Sequence, residues 1–300
     1  MKKNKISSFV YSWKVAPYVF VLPFIITFLV FWIYPFISSI LMSFQSILPG
    51  QVKWIGLENY TKLLKDKTFH LAIKNSFLYT VLTCALLIPF PMLFASILNS
   101  AFLKGKTTFK AILYIPALTS VAVAGMIFGF MFSELDGSTA NQLLHAFGYP
   151  SIKWLKGYAT GWFAMVLLCC WRWTGVNMLY FLSGLQGIDA SLYEAADIDG
   201  ATRWQKFRLI TLPLLKPTWI YVLTISIYAG LAMFLESYMM WGGNASPKNI
   251  GLTIVGYLYR RGIERNQMGY ASAVGIVLLV IALTINFIQL TISGTFKKEQ

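Results

Sequence analysis

The chain has 300 residues, of which 57% are hydrophobic, 16% aromatic and 12% charged. Soluble domains carry about 25% charged residues, so this composition excludes an ordinary soluble fold and points to an integral membrane protein. The net charge of +14 is not a nucleic-acid signature, because the basic residues lie mostly between apolar runs, where helix ends meet a membrane surface.

Six windows with few charges are long enough to cross a bilayer, which needs about 20 residues. The first lies within residues 15–52, centred on 18–41, and contains Pro23 and Pro35. The second is 75–103, with Pro89 and Pro91, and the third is 111–133, with Pro116. The fourth is 157–188, interrupted by the single charge of Arg172. The fifth is 218–235, ending at Glu236, and the sixth is 266–296. Prolines are tolerated in membrane helices, and the alternating ten-residue strands of a membrane barrel are absent. The expectation is one all-α polytopic membrane protein with six transmembrane helices. The first apolar run is too long for a signal-peptide core and lacks a small-residue cleavage site, so no cleavable signal is expected.

Six spans place both termini on one side. Lys and Arg placement sets the orientation. With the N-terminus inside, the inner segments carry 13 basic residues and the outer loops 11. The inner segments are shorter, so their basic density is nearly double. Lys2, Lys3, Lys5 and Lys14 precede the first span, and no basic residue follows until Lys53. Both termini are therefore read as cytoplasmic, with Lys297 and Lys298 in the tail. Residues 250–259 are too short to span and read as interfacial or re-entrant.

The remaining groups carry little chemistry. Cys84, Cys169 and Cys170 fall in apolar runs without metal spacing and read as membrane-buried free thiols; a bridge between adjacent cysteines would be strained. His70 and His145 are isolated in polar loops and read as neither ligands nor catalysts. Gly125-x-x-x-Gly129 permits close helix packing. Asn75, Asn177 and Asn286 are polar candidates within the spans, for the path or for bonding between helices.

The polar stretch 193–213 lies on the cytoplasmic side in this topology. Ser191-x-x-Glu194 fits a capping box, Gly200 suits a left-handed helix end, and Thr202 suits the start of a second helix carrying Trp204, Phe207, Leu209 and Ile210. Pro213 and Pro217 punctuate the entry to the fifth span. On local chemistry this is either a rigid lever or an ordinary amphipathic loop.

The same residues carry a resemblance. Glu194-Ala195-Ala196, then Gly200, then Ile210-x-Leu212-Pro213 stand at the spacings of the EAA loop. The chain thus resembles the permeases of binding-protein-dependent ABC importers. Asp199-Gly200-Ala201 and the run from Leu212 to Pro217 are similar to the carbohydrate-uptake, maltose-type branch. Four further stretches resemble the permeases of arabino-oligosaccharide importers: residues 44–50, 115–120, 221–227 and 249–253. The resemblance implies an ABC type I importer permease fold, with a permease domain over 71–292 containing a coupling loop at 189–213. Residues 1–70 and 293–300 flank it. In the plasma membrane of a prokaryotic cell the loop would dock on a cytoplasmic ATPase through Glu194, Ala195, Ala196, Asp199, Gly200, Ala201, Ile210, Leu212 and Pro213. A second related permease, two ATPase subunits and an extracellular sugar-binding protein would complete the assembly. ATP and magnesium would be used by the partner ATPase, with no cofactor in this chain.

No nucleotide site competes with that expectation. The nearest P-loop candidate, at Gly105-Lys106-Thr107, has Ser100 where the first glycine should stand. An ion-coupled secondary transporter would want paired acidic residues deep in the membrane, and only Glu236 is available. An intramembrane enzyme would want a catalytic cluster, and no histidine lies within a span. The expected function is passage of an oligosaccharide, an arabino-oligosaccharide first and a lactose-type galactoside or other glycoside second.

Arg172 lies near the middle of the fourth window, where a charge costs at least about 3 kcal/mol. It must face protein or water. Arg172, Trp173, Thr174, Asn177, Glu236 and Tyr238 are the candidate substrate-path residues, since aromatic faces stack on sugar rings and Arg, Asn and Thr bond hydroxyls. For Arg172 the alternative is pairing with a helix end or another subunit. Arg172 lies about 20 Å, and Glu236 about 8 Å, below the outer helix ends. A direct Arg172–Glu236 pair therefore requires snorkelling or a break in the fifth helix.

Overall fold

A computed structural model describes residues 12–48, 50–100 and 103–295. Lys2, Lys3, Lys5, Pro49, Lys297 and Lys298 lie outside the described residues, as does most of the 293–300 tail. Two compact units are distinguished: Met1–Lys65 with Arg261–Val277, and Asp66–Arg260 with Leu278–Gln300.

The first unit begins with α1 (Ala16–Phe28), a π-helical turn (Leu29–Ile33) and α2 (Tyr34–Ser43). Together they form an apolar run of 28 residues with none of its most apolar window buried. Pro23 lies inside α1, whereas Pro35 stands in the first turn of α2, just after the π turn, where its missing N–H is least costly. The chain then departs from an all-α reading. Strands β1 (Gln45–Leu48) and β2 (Gln51–Trp54) pair as an antiparallel hairpin, with Gln45 opposite Trp54 and Leu48 opposite Gln51. Phe44 stacks on Trp54 at 5.7 Å. On α3 (Glu58–Lys65), the Asn59 amide donates to the carbonyls of Ser43 and Gln45, both at 2.9 Å. The helix end and the hairpin are thus fixed by one side chain.

The second unit is built around α9 (Tyr158–Gln186), a single helix about 43 Å long. It packs against α4 (Lys67–Leu87), α5 (Pro89–Asn99), α6 (Lys106–Leu118) and α13 (Lys216–Leu231). Helix α7 is Val121–Met131 and α8 is Thr139–Ala146. After α9 come α10 (Ala190–Ile198), α11 (Arg203–Lys206), a π turn (Phe207–Thr211) and α12 (Leu212–Leu214). Beyond α13 lie α14 (Leu235–Met240) and α15 (Ile254–Tyr259), and the last helix, α16, runs Met268–Ile292.

Among the described residues, four helices are long and apolar enough to cross a membrane: Ala16–Ser43, Lys67–Asn99, Tyr158–Gln186 and Met268–Ile292. The third and fifth windows are bent. Helices α6 and α7 meet at 95°, and Arg203–Leu214 meets α13 at 64°. The spans number up to six when each bent pair is one span. The third window is not a straight rod, because the Pro116 turn ends α6 at Leu118 and Thr119 is extended.

Other expectations are corrected. His70 lies on α4 and His145 on α8, neither in a loop. Residues 250–259 are not interfacial: Ile250, Leu252, Ile254 and Tyr257 are buried within the protein. The Asn75 amide reaches the carbonyls of Asn249, Ile250 and Leu252 at 3.0–3.2 Å, and Ser76 accepts from the Ile254 amide at 2.9 Å. Side chains on α4 therefore satisfy backbone that has no helix of its own, as a buried irregular segment requires. Asn286 donates only within its own helix, to Ala282 at 3.0 Å. The three cysteines are free; Cys84 and Cys169 are buried and Cys170 is half-buried.

Glycines set the closest approaches. A Cβ on Gly175 would lie 1.9 Å from the Leu113 carbonyl oxygen, so α6 crosses α9 where nothing larger fits. A Cβ on Gly125 would meet Met239 Cβ at 2.7 Å, and one on Gly129 would meet the Met240 carbonyl at 2.8 Å. The Gly125-x-x-x-Gly129 face thus seats α14 against α7. Gly175→Ala is expected to destabilise by about 3 kcal/mol or more, through backbone displacement. Gly137→Ala, where the added carbon meets nothing within 4 Å, should change stability by less than about 0.5 kcal/mol. Thermal unfolding of the two detergent-solubilised variants compares them directly, and equal midpoints would contradict the packing argument.

Candidate functional site: a polar hairpin and a charged cavity

The polar hairpin starts at Asp189. Its carboxylate accepts from the Ser191 amide at 2.9 Å, and α10 begins at Ala190. The Ser191–Glu194 capping box does not form. Asp is a strong N-cap, and its position two residues earlier moves the helix start, leaving Glu194 one full turn inside. Glu194 and Ala195 are exposed and Ala196 is half-buried. The amide bond from Ser191 also holds the Asp189 carboxyl below its ordinary value.

At the far end, Gly200 adopts φ of +73°. The Gly200 amide bonds the Asp197 carbonyl at 3.1 Å and the Ala201 amide bonds the Ala196 carbonyl at 2.9 Å. These are the two bonds of a Schellman motif, and they account for Asp199, Gly200 and Ala201 as a terminator. Thr202 then caps α11 through a capping box with Gln205. Tyr193 meets Thr211 at 2.8 Å, and Lys206 pairs with Asp197 at 2.6 Å. These two ties hold the helices of the hairpin side by side. Ile198, 88% exposed, and the exposed Trp204 and Leu209 leave apolar surface on its outside.

Ile210 lies half-buried in the π turn, while Leu212 and Pro213 are exposed on α12. The anchor is a residue the motif does not contain. Leu215, at the 64° bend, is fully buried among Met178, Phe181, Leu182 and Leu185 of α9. Gly184 opens the space for it, since a Cβ there would lie 2.9 Å from the Leu215 methyl. Sequence offered one hint of this seat: Leu215 follows Pro213 and precedes Pro217, where a kink leaves a side chain pointing into the bend.

A cavity of about 190 Å³ lies further along α9 and α13. Among the candidate path residues, it gathers Trp173, Asn177 and Glu236, with Tyr79, Thr83 and Ser226 as additional polar lining. Thr174 and Tyr238 are not in its lining. Tyr238 instead packs with Phe234 at 5.2 Å and Tyr259 at 5.5 Å. The Asn177 amide donates to the Leu87 carbonyl at 3.0 Å. That carbonyl would ordinarily accept from residue 91, which is proline and has no N–H.

Arg172 and Glu236 do meet: Nη1 lies 3.5 Å from Oε1. The fifth helix provides the break that such a pair requires. Helix α13 ends at Leu231, and α14 restarts at Leu235. Across that gap Thr253 Oγ1 donates to the Met233 carbonyl at 2.6 Å. Arg172 also donates through Nη2 to the Thr119 carbonyl at 3.3 Å, beside the 95° bend, and lies 5.4 Å from the Trp173 ring centre. Its pairing with a helix end and its pairing with Glu236 therefore coexist. Among the described residues, no group of three or more His, Cys, Asp or Glu side chains is placed to hold a metal ion.

Removing one partner of a buried ion pair strands the other charge, at about 3–5 kcal/mol. Glu236 keeps partial exposure, so Glu236→Gln and Arg172→Met should each cost toward the lower end, about 3 kcal/mol. The double variant R172M/E236Q should recover most of that, in a thermal-unfolding cycle on the intact assembly. For Asp189, the lowered carboxyl contributes helix-start stability that is complete above its unfolded value and is lost as pH falls through the folded one. Relative to the intrinsic rate of an unstructured amide at each pH, hydrogen exchange at the Ser191 amide should therefore accelerate at acid pH in the native chain. In Asp189→Asn, which keeps a cap without a charge, that acceleration should vanish.

Comparison with known proteins places these features. The chain is 54% identical over 289 residues to the arabinooligosaccharides transport system permease protein AraP of Bacillus subtilis, covering 96% of this chain and 92% of that one. It is 32% identical to the lactose transport system permease protein LacF of Rhizobium radiobacter, covering 92% and 93%. Among solved structures it superposes on a chain of a bacterial alginate ABC transporter in complex with an alginate pentasaccharide-bound periplasmic protein. There the TM-score is 0.84 and the identity 26%, over 94% of this chain and 95% of that one. Residues 74–297 match the model of the binding-protein-dependent transport system inner membrane component, and the chain belongs to that family of ABC importer permeases, which are membrane subunits and not enzymes.

Proposed function

We propose that this chain forms half of the translocation path of an ATP-driven importer for arabino-oligosaccharides. It is the permease subunit of a sugar importer. The pentose-oligosaccharide assignment rests on the extent of its likeness to the B. subtilis permease, over nearly the whole of both chains. A lactose-type galactoside is the second reading, supported by the R. radiobacter relative.

In this reading the six windows are six spans of a multi-pass plasma-membrane protein with both termini in the cytoplasm. The permease domain covers 71–292, with 1–70 and 293–300 as flanks. A sugar-binding protein delivers the substrate outside the cell, as the alginate assembly contains a periplasmic protein of that kind. A second permease completes the path and two cytoplasmic ATPase subunits supply ATP hydrolysis with magnesium. The hairpin 189–213 docks on one ATPase through Glu194, Ala195, Ala196, Asp199, Gly200, Ala201, Ile210, Leu212 and Pro213. What supports that role is its construction: two capped helices tied to each other, apolar groups left outside, and Leu215 fixing the whole to α9. Closure of the ATPase pair moves such a hairpin as a body, and α9 and α13 carry the displacement toward the cavity. Arg172, Trp173, Thr174, Asn177, Glu236 and Tyr238 belong to the path and its supports.

Glu194→Lys and Gly200→Asp test the assignment in vesicles holding the complete assembly. Both variants should insert normally and lose more than about nine-tenths of ATP-driven uptake of labelled arabino-oligosaccharide. Normal ATP-dependent uptake by both would remove the coupling role. ATP-driven uptake of labelled lactose, with none of labelled arabino-oligosaccharide, by the unsubstituted assembly would transfer the substrate assignment to the galactoside reading.

A further inference from the structure

The cavity beside Glu236 has an uneven charge. Among the described residues that line it, Glu236 is the only Asp or Glu, and no Lys or Arg is among them. Its ion partner stands behind it. The Arg172 side chain is 6% exposed and that of Glu236 16%. The guanidinium is held by the Thr119 carbonyl through Nη2 and lies over Trp173. These contacts occupy the cation away from the cavity, so the carboxylate is the member of the pair that a guest meets. Inside a partly enclosed site such a charge is weakly screened.

We propose that Glu236, positioned by Arg172, is a specificity determinant that admits neutral glycans to this cavity and rejects anionic ones such as oligouronates. The inference rests on the sugar-path reading above and adds a selection rule to it. A neutral sugar presents hydroxyls, which donate to the carboxylate in charge-assisted hydrogen bonds, while the exposed Trp173 ring offers an apolar face. An oligouronate brings a like charge to a site with no lining cation to receive it. Discrimination arises from that unfavourable term as much as from the favourable one. The Asn177 amide commits one of its two N–H donors to the Leu87 carbonyl and carries no charge of its own.

The test uses the whole assembly in lipid vesicles, with its partner permease, ATPases and binding protein. Ala229, exposed and part of the same lining, is replaced by cysteine in a form whose native cysteines are alanine. Two methanethiosulfonates of equal length are compared, one bearing a quaternary ammonium and one a sulfonate. Each rate is divided by its rate with a free thiol. The cationic reagent should be favoured about tenfold or more, and Glu236→Gln should lower the ratio to one or below. A neutral arabino-oligosaccharide should slow labelling in both forms, and an oligogalacturonate of equal length only in the Gln variant. Because Glu236→Gln strands the Arg172 charge, which would itself attract anions, R172M/E236Q is measured in parallel; with both charges removed the ratio should lie close to one and the oligogalacturonate should still protect. A ratio near one with Glu236 present, equal protection by both glycans, or protection by neither overturns the proposal. Absent arabino-oligosaccharide uptake by the unsubstituted assembly counts instead against the importer reading, so the two failures are told apart.

Discussion

A carbonyl or amide freed by a broken helix must find a partner inside the protein when lipid surrounds it, because no water is there to supply one. The second unit of this chain contains several such breaks, and its buried polar side chains are placed at them. Asn177 serves the Leu87 carbonyl opened by Pro91, and Arg172 serves the Thr119 carbonyl at the α6–α7 bend. Thr253 serves Met233 in the gap before α14, and Ser237 serves Gly251 at 2.6 Å. Asn75 and Ser76 serve the irregular backbone from Asn249 to Ile254. An unpaired group at any of these places would cost about 1–3 kcal/mol or more. The polar residues within the apolar windows are thus structural first, and α9 holds two of the most consequential.

In that arrangement α9 is unbroken while its neighbours are interrupted. Breaks in α4–α5, in α6–α7 and before α14 are each met by a residue on α9 or by a segment packed beside it. Gly175 and Gly184 then let the bent elements approach its backbone. At one end α9 receives Leu215, and about two to three turns away it presents Asn177 and Trp173 to the cavity. Helix α13 begins at the Leu215 seat and stops just before the gap that brings Glu236 to Arg172. The hairpin and the cavity are therefore joined by α13 and by the C-terminal half of α9.

How much of this the sequence disclosed depended on whether the deciding interaction was local. Gly200 and Thr202 were legible because a left-handed terminator and an N-cap are properties of three to five consecutive residues. Ser191–Glu194 misled for the same reason: a sound local pattern lost to Asp189, a stronger cap two positions earlier. The Arg172–Glu236 pair was legible only as a condition, since helix depth put the two about 12 Å apart unless the fifth helix broke. No proline or polar run marks that break. Glycines at 125 and 129, far away in the chain, make room for α14, and Thr253 satisfies the gap. The β-hairpin was hidden inside a window judged by length and charge, where Phe44, Trp54 and Asn59 outweigh helical continuation.

The same non-locality bears on how the cavity acquires its chemistry. Arg172 cannot be judged from its own helix, where it is an isolated charge with Nε left without a partner. Its cost is offset by two contacts that exist only because neighbouring helices are broken: a carbonyl at one bend and a carboxylate at another. Replacing the pair by apolar residues of similar volume would be compatible with stability, as buried ion pairs seldom outperform a well-packed core. What an apolar replacement would not reproduce is a carboxylate facing a cavity with its counter-charge behind it. Stability therefore does not account for the pair's orientation, whereas selection among hydroxylated and anionic guests does.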